Sequence, residues 1–150
     1  MREMTRDEWW EFASTGTRTG MLGVVRADGS PHVTPVWFLL NETPDCDELV
    51  FTTGRNSLKG KAFRRDPRLS LCVDDQTPPF SFVQFSAEAT LWSFHEGDDM
   101  EELLEWATAI GGRYMGADKA EVYSTRNAGP EEYLVRAKIT KVLARADIAD

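Results

Sequence analysis

The sequence predicts a mainly β protein with inserted helices, an α+β arrangement of six strands rolled into a closed or nearly closed barrel. Three observations carry this reading. Segments rich in β-branched and aromatic residues recur between turn signals, helical patterns are few and irregularly placed, and the strand–helix alternation of a doubly wound sheet is missing. The 150 residues suit one domain of about 100–200 residues. A hydrophobic content of 41%, with eight Phe, five Trp and three Tyr, supplies apolar surface for a core.

The elements follow in order. Thr5-Arg6-Asp7-Glu8 fits a capping box, and Trp9, Phe12 and Ala13 then recur at helical spacing, so a short first helix runs to Thr15-Gly16. Residues 21–27 and 32–40 are two strands joined at Asp28-Gly29-Ser30, because Asp-Gly between β-rich runs favours a tight hairpin. Residues 49–53, 69–74 and 80–94 are the third, fourth and fifth strands, the last two separated by Pro78-Pro79. Between strands three and four, residues 57–65 form a helix of about two turns, with Ser57 near its N-cap and Asp66-Pro67 ending it. After Gly97, the residues Met100, Leu103, Leu104, Ala107 and Ile110 make one apolar stripe on an acidic helix. Residues 117–126 are a further short helix, Asn127-Ala128-Gly129-Pro130 a loop, and residues 133–145 the closing strand.

Composition excludes several classes of function. The net charge of −8 argues against nucleic acid as a partner, since phosphate backbones select for excess Lys and Arg. With His32 and His95 alone and no HExxH-like spacing, a catalytic metal site is not expected; two histidines also support no Ser-His-Asp or Cys-His arrangement. Cys46 and Cys72 match neither a disulfide framework nor paired ligand spacing and read as free thiols. No apolar run approaches the roughly 18 residues of a membrane span, and the first residues lack the apolar segment of a signal peptide. The expectation is a cytoplasmic protein without a membrane partner, acting on a small molecule.

Charge is unevenly distributed. Arg55, Lys59, Lys61, Arg64, Arg65 and Arg68 face the single acid Asp66, a local net of +5 in a chain of −8, which leaves −13 for the remainder. In Thr52-Thr53-Gly54-Arg55-Asn56-Ser57-Leu58-Lys59-Gly60-Lys61 a strand passes through a glycine turn into a helix N-terminus, where unpaired amides and the helix dipole attract anions. The hydroxyls of Thr52, Thr53 and Ser57 and the charges of Lys59 and Lys61 outline a phosphate cradle; the plainer alternative is a solvated basic helix face. Pro35, in His32-Val33-Thr34-Pro35-Val36-Trp37-Phe38, cannot donate to a ladder and belongs at an edge, a bulge or a site entrance. Trp37 and Phe38 are core or dimer packing, or one of them lines a pocket for a flat ring. His32 and Glu88 read as surface residues. Arg113-Tyr114-Met115-Gly116 and residues 123–127 pack on the surface or close a pocket from above.

Several of these segments together resemble a known family. Gly29-Ser30-Pro31-His32-Val33-Thr34-Pro35-Val36-Trp37, Phe51-Thr52-Thr53, Ser57-Leu58-Lys59-Gly60-Lys61 and Arg64-Arg65-Asp66-Pro67-Arg68-Leu69-Ser70-Leu71 resemble the split β-barrel pyridoxamine 5'-phosphate oxidase-like superfamily. Within it, the chain is most similar to actinobacterial flavin/deazaflavin oxidoreductases of the B type, which use coenzyme F420. The likeness extends through Arg113-Tyr114-Met115-Gly116 and the closing strand at 133–146. It implies a six-stranded split barrel of the FMN-binding type and a homodimer with two cofactor sites at the subunit interface. It further implies that Ser57, Lys59 and Lys61 hold the cofactor phosphate, that Thr34, Pro35, Val36 and Trp37 run beside the ring system, and that Phe51, Thr52 and Thr53 line the groove. The Arg-x-Val-Leu-Leu-Lys signature of pyridoxamine phosphate oxidases is replaced by Thr34-Pro35-Val36-Trp37-Phe38-Leu39, which speaks against pyridoxal phosphate synthesis. The activity implied is hydride transfer from reduced F420 to an electron-poor double bond or quinone-like acceptor. An FMN-dependent reductase or oxidase and a non-catalytic flavin or deazaflavin carrier are the alternatives.

Overall fold

The computed structural model describes residues Met1–Asp150. The chain begins with β1 (Arg2–Glu3), α1 (Arg6–Ser14), β2 (Gly20–Val25), β3 (Pro31–Val36), β4 (Leu39–Glu42) and β5 (Asp47–Gly54). It continues through α2 (Leu58–Arg65), β6 (Arg68–Asp75), β7 (Ser81–Trp92), α3 (Met100–Met115), α4 (Ala120–Asn127) and β8 (Glu132–Ala146), with 3-10 turns at Phe94–Glu96 and Ala117–Lys119. No helix is long and apolar enough to cross a membrane.

Eight strands replace the six expected. The run at 32–40 is two strands, because the chain leaves β2 at Trp37-Phe38 and crosses to β5, with which β4 pairs from Leu39↔Val50 onward. β1 is two residues long, too short to show a periodicity. All pairings are antiparallel, in the order β3-β2-β6-β7-β8-β5-β4, with β1 beside the end of β8. The expectation of a closed barrel is also corrected: β3 and β4 are the two sheet edges and do not pair with each other. Pro31 and Pro35 lie on β3, where a missing amide leaves no ladder bond unmade on the open side.

Local signals form as their chemistry dictates. The Thr5 hydroxyl accepts from the Glu8 amide at 3.3 Å and the Glu8 carboxylate accepts from the Thr5 amide at 2.7 Å, completing the capping box of α1. Asp28 closes the β2–β3 turn by accepting from the amide and hydroxyl of Ser30, which holds its carboxyl below the usual carboxylate range. Alternation buries Leu22 and Val24 of β2, Leu69, Leu71 and Val73 of β6, and Val83 and Phe85 of β7 in one core with Trp9, Phe38, Phe51 and Tyr133.

Helix α3 packs on the outer face of β5 and β8. Val50 and Leu134, which point away from the main core, meet Leu103 of α3 in a separate buried cluster. The Arg136 guanidinium bridges this layer: it pairs with buried Glu48 at 2.7 Å and with Glu102 of α3 at 2.6 Å. Helix α4 lies directly on α3, and Gly111 allows the approach, since a Cβ there would come 3.0 Å from the Tyr123 Cβ and 3.2 Å from the Ala120 carbonyl oxygen.

The open seam is fastened by two consecutive side chains of α3. Arg113 donates to the carbonyls of Ala13 (2.7 Å), Gly16 (3.0 Å) and Phe38 (2.7 Å). The Tyr114 hydroxyl accepts from the Phe38 amide at 3.3 Å and donates to the Arg18 carbonyl at 2.8 Å. Together they tie the β3–β4 crossover and the α1–β2 link to the outer helix, so α3 both covers the sheet and holds its seam.

Candidate functional site

Beside the seam lies a cleft of about 590 Å3, inside the roughly 300–1,000 Å3 range of small-molecule sites. One wall is Pro35, Val36 and Trp37 from β3 and the crossover; the floor is Thr52, Thr53 and Gly54 at the end of β5, with Ser57 and Lys59 at the start of α2. Ile110 of α3, Tyr123, Arg126 and Asn127 of α4, Glu132 of β8 and Thr19 complete it.

The α2 entrance is tightly built. Ser57 caps the helix, its hydroxyl accepting from the Gly60 amide at 3.1 Å and donating to the Gly54 carbonyl at 2.7 Å, with Thr53 Oγ1 3.2 Å away. Gly60 is required by proximity: a Cβ there would come 2.4 Å from the Gly54 carbonyl oxygen and 2.7 Å from that of Arg55. The first turn of α2 is thereby pressed against the strand end, and its positive pole faces the cleft region.

Lys59 is the cation this entrance delivers. Its ammonium donates to the Thr34 hydroxyl at 3.0 Å and has no carboxylate partner, and burial pushes its pKa below the ordinary lysine value. The other basic residues of the segment are engaged differently. Arg55 pairs with Glu96 at 3.1 Å and reaches the Tyr133 hydroxyl at 3.3 Å. Arg64 donates to that hydroxyl at 2.9 Å and to the Arg55 carbonyl at 2.8 Å, Arg65 donates to the Val25 carbonyl at 3.5 Å, and Arg68 pairs with Asp66, holding that carboxyl down at about 2.

An aromatic group backs the wall that Trp37 forms. Trp37 stacks on Tyr114 with ring centroids 5.2 Å apart and planes 4° from parallel, and Tyr123 tilts against its ring at 5.4 Å. Burial pushes the Tyr114 hydroxyl pKa up, keeping it a neutral donor to the Arg18 carbonyl.

Of the ten residues expected at a cofactor site, Pro35, Val36, Trp37, Thr52, Thr53, Ser57 and Lys59 line this one cleft. Thr34 stands behind it as the hydrogen-bond partner of Lys59. Phe51 is fully buried in the core, and Lys61 is exposed outside the cleft lining. Sequence reasoning missed Thr19, Ile110 and Glu132. Burial pushes the Glu132 carboxyl above its ordinary range, and nothing in its local sequence marks it.

The pyridoxamine 5'-phosphate oxidase family model matches residues 6–145. No curated protein matches the chain. Among solved structures, a conserved hypothetical protein from Mycobacterium tuberculosis has a TM-score of 0.78 at 23% identity, over 96% of this chain and 86% of its own. An F420 reductase has a TM-score of 0.64 at 19% identity, over 89% of this chain and 94% of its own. A FAD-binding protein from Mesorhizobium loti has a TM-score of 0.66 at 17% identity, over 95% and 93%. At these identities the likeness concerns the fold.

Proposed function

The chain belongs to the pyridoxamine 5'-phosphate oxidase family, and from that premise we propose that its cleft binds coenzyme F420 and serves an F420H2-dependent reductase related to the B-type flavin/deazaflavin oxidoreductases. Lys59 carries this reading. A partly buried ammonium without a carboxylate partner is a vacant half of an ion pair, and a ligand phosphate supplies the other half. The hydroxyls of Thr52 and Thr53 and the first turn of α2 add donors on the same side. The fold of an F420 reductase is among those similar to this one.

Bound there in reduced form, the deazaflavin would supply a hydride for an electron-poor double bond or quinone-like acceptor. The chain's part is binding and orientation. Lys59 anchors the phosphate, Pro35, Val36 and Trp37 offer a flat wall for the ring system, and α3 and α4 exclude water from one side. Lys61 is exposed and Arg126 lines the rim, and neither has a carboxylate partner; both fit the polyanionic tail that distinguishes F420 from FMN.

The protein acts as a homodimer in this reading. Met21, Val25, Val33 and Leu143 expose 41%, 39%, 59% and 37% of their surface. The register Pro35↔Met21↔Cys72↔Gln84↔Leu143 sets Met21 and Leu143 in one row across the sheet's outer face, with cleft residue Pro35 at its edge. A partner on this face would stand at the mouth of the cleft.

Titration of the purified protein with F420 and with FMN, followed by Trp fluorescence, tests the assignment. Tighter binding of F420 is expected, and tighter binding of FMN would overturn it. A flavin in place of F420, FMN being the alternative, is favoured by one observation, the similar fold of a FAD-binding protein; a protein purified yellow would support it.

A further inference from the structure

The cleft contains one carboxylate, and its position is unusual for a site that accepts an anion. Glu132 opens β8 and pairs across the ladder with Gly54, the last residue of β5. Directly opposed residues share a face of the sheet, and Gly54 has no side chain to occupy the space above itself. A Cβ at Gly54 would come 3.6 Å from the Ser57 Cβ, so the Glu132 side chain rises on the side where Ser57 begins α2. Both residues line the same cleft as Lys59.

The surroundings leave this carboxyl without a partner. It accepts no hydrogen bond and joins no ion pair, whereas the neighbouring Glu131 is engaged by Asn56 at 3.3 Å and His95 at 3.0 Å. The ionisable groups facing it are few. Helix α2 contributes Lys59, and α4 contributes Tyr123 and Arg126; β3, β5 and α3 offer only Pro35, Val36, Trp37, Thr52, Thr53, Gly54 and Ile110. Lys59 and Glu132 do not neutralise each other, since burial alone displaces each from its ordinary value. A phosphate held by Lys59 and the start of α2 therefore shares the cleft with a carboxylate that is paired with neither Lys59 nor Arg126.

We propose that Glu132 is a proton-linked gate on the anion subsite: a phosphate-bearing ligand binds together with one proton, which converts the Glu132 carboxylate into a carboxylic acid that donates to the ligand oxygen. This rests on the phosphate placement proposed above and adds the regulation of that site by pH. The proton comes from solvent, and no bond to the ligand forms or breaks. The burial that already disfavours the charged carboxyl prepares the exchange, and the incoming negative charge completes it. Ligand affinity then falls as pH rises, by up to about tenfold per unit between the Glu132 pKa of the free and of the occupied protein.

The test measures F420 affinity from about pH 5 to about pH 8 for the wild type and Glu132→Gln; the ratio between the two cancels titrations of the ligand itself. Glu132→Gln is expected to differ least from the wild type at the acid end of the range and to bind progressively more tightly than it as pH rises, reaching at least about tenfold near pH 8. A ratio that stays constant, or weaker binding by the variant throughout, overturns the proposal, the latter marking Glu132 as an ionised acceptor for ligand hydroxyls. Calorimetry of the wild type in two buffers of different ionisation enthalpy gives a second readout: uptake of about one proton beyond the ligand's own supports the gate, and none overturns it. If neither F420 nor FMN binds at any pH, the cofactor reading falls, and the same series with inorganic pyrophosphate decides the role of Glu132.

Discussion

The guanidinium of Arg113 donates to the carbonyl of Phe38 at 2.7 Å while lying over the Phe38 ring, 4.9 Å from its centroid. One side chain thus holds both the backbone and the ring of the residue at which the chain crosses between sheet edges. Because the same guanidinium also reaches Ala13 and Gly16, Arg113→Ala leaves three carbonyls without this donor. A loss of about 3 kcal/mol in urea unfolding is expected. Arg113→Lys should recover little of it, since an ammonium cannot reproduce the planar fork.

Lys59→Ala should weaken F420 binding roughly 10- to 100-fold, the value of about 1.5–3 kcal/mol for a charge-assisted hydrogen bond. The same titration on Lys61→Ala should show less than about a fivefold effect, because an exposed charge acts through screened solvent. Equal losses in the two variants would move the anchor out of the cleft. Thermal stability should remain near wild type in both.

Gly60→Ala tests the geometry of the α2 entrance. With 2.4 Å between the new Cβ and the Gly54 carbonyl oxygen, the helix must shift away from the strand end. Destabilisation of about 2–3 kcal/mol is expected, accompanied by loss of ligand affinity. A variant with unchanged melting and binding would show that the entrance tolerates displacement.

Val33→Glu addresses the outer sheet face. Val33 is 59% exposed on edge strand β3, and a carboxylate there should dissociate a dimer that buries this face while sparing the fold of the subunit. Light scattering after size exclusion reads the mass directly. A wild type that is monomeric at every concentration would remove the dimer from the proposed function.

The stability of the unliganded protein should also depend on Glu132. Its carboxyl pKa is raised in the folded state by burial, so its contribution is fully present below the unfolded value of about 4.3 and is lost as pH rises through the folded value. Glu132→Gln should therefore melt higher than the wild type near pH 7 and equal to it near pH 4. Melting curves at the two pH values check the sign.

Much of the frame was legible because its causes are local. The capping box at Thr5 and Glu8, the Asp28 turn and the Ser57 cap all depend on partners within three residues. The break at Trp37-Phe38 was hidden, since an apolar run looks the same whether it continues along one partner strand or changes to another. The local sequence of Arg113 suits a residue that packs on the surface or closes a pocket, yet its three carbonyl partners lie 75 to 100 residues away. The cradle segment was found from its own chemistry; Lys59 and Lys61, two positions apart on α2, lie on different faces of that helix, and packing decides which face meets the cleft. Glu132 is the clearest case: its place is set by pairing with Gly54, which no local pattern encodes.

The 15-residue strand β8 lies between β7 and β5 and also receives β1 at its end. Every strand it joins is synthesised before it. A nascent chain that stops short of Glu132 has β5 and β7 made but not bridged, each with an open edge where the middle of the sheet belongs. Contacts such as Arg2↔Ala146 join residues at opposite ends of the sequence. Folding that depends on them has high contact order and a slow final step, so during synthesis this protein relies on whatever shields those two edges until β8 arrives.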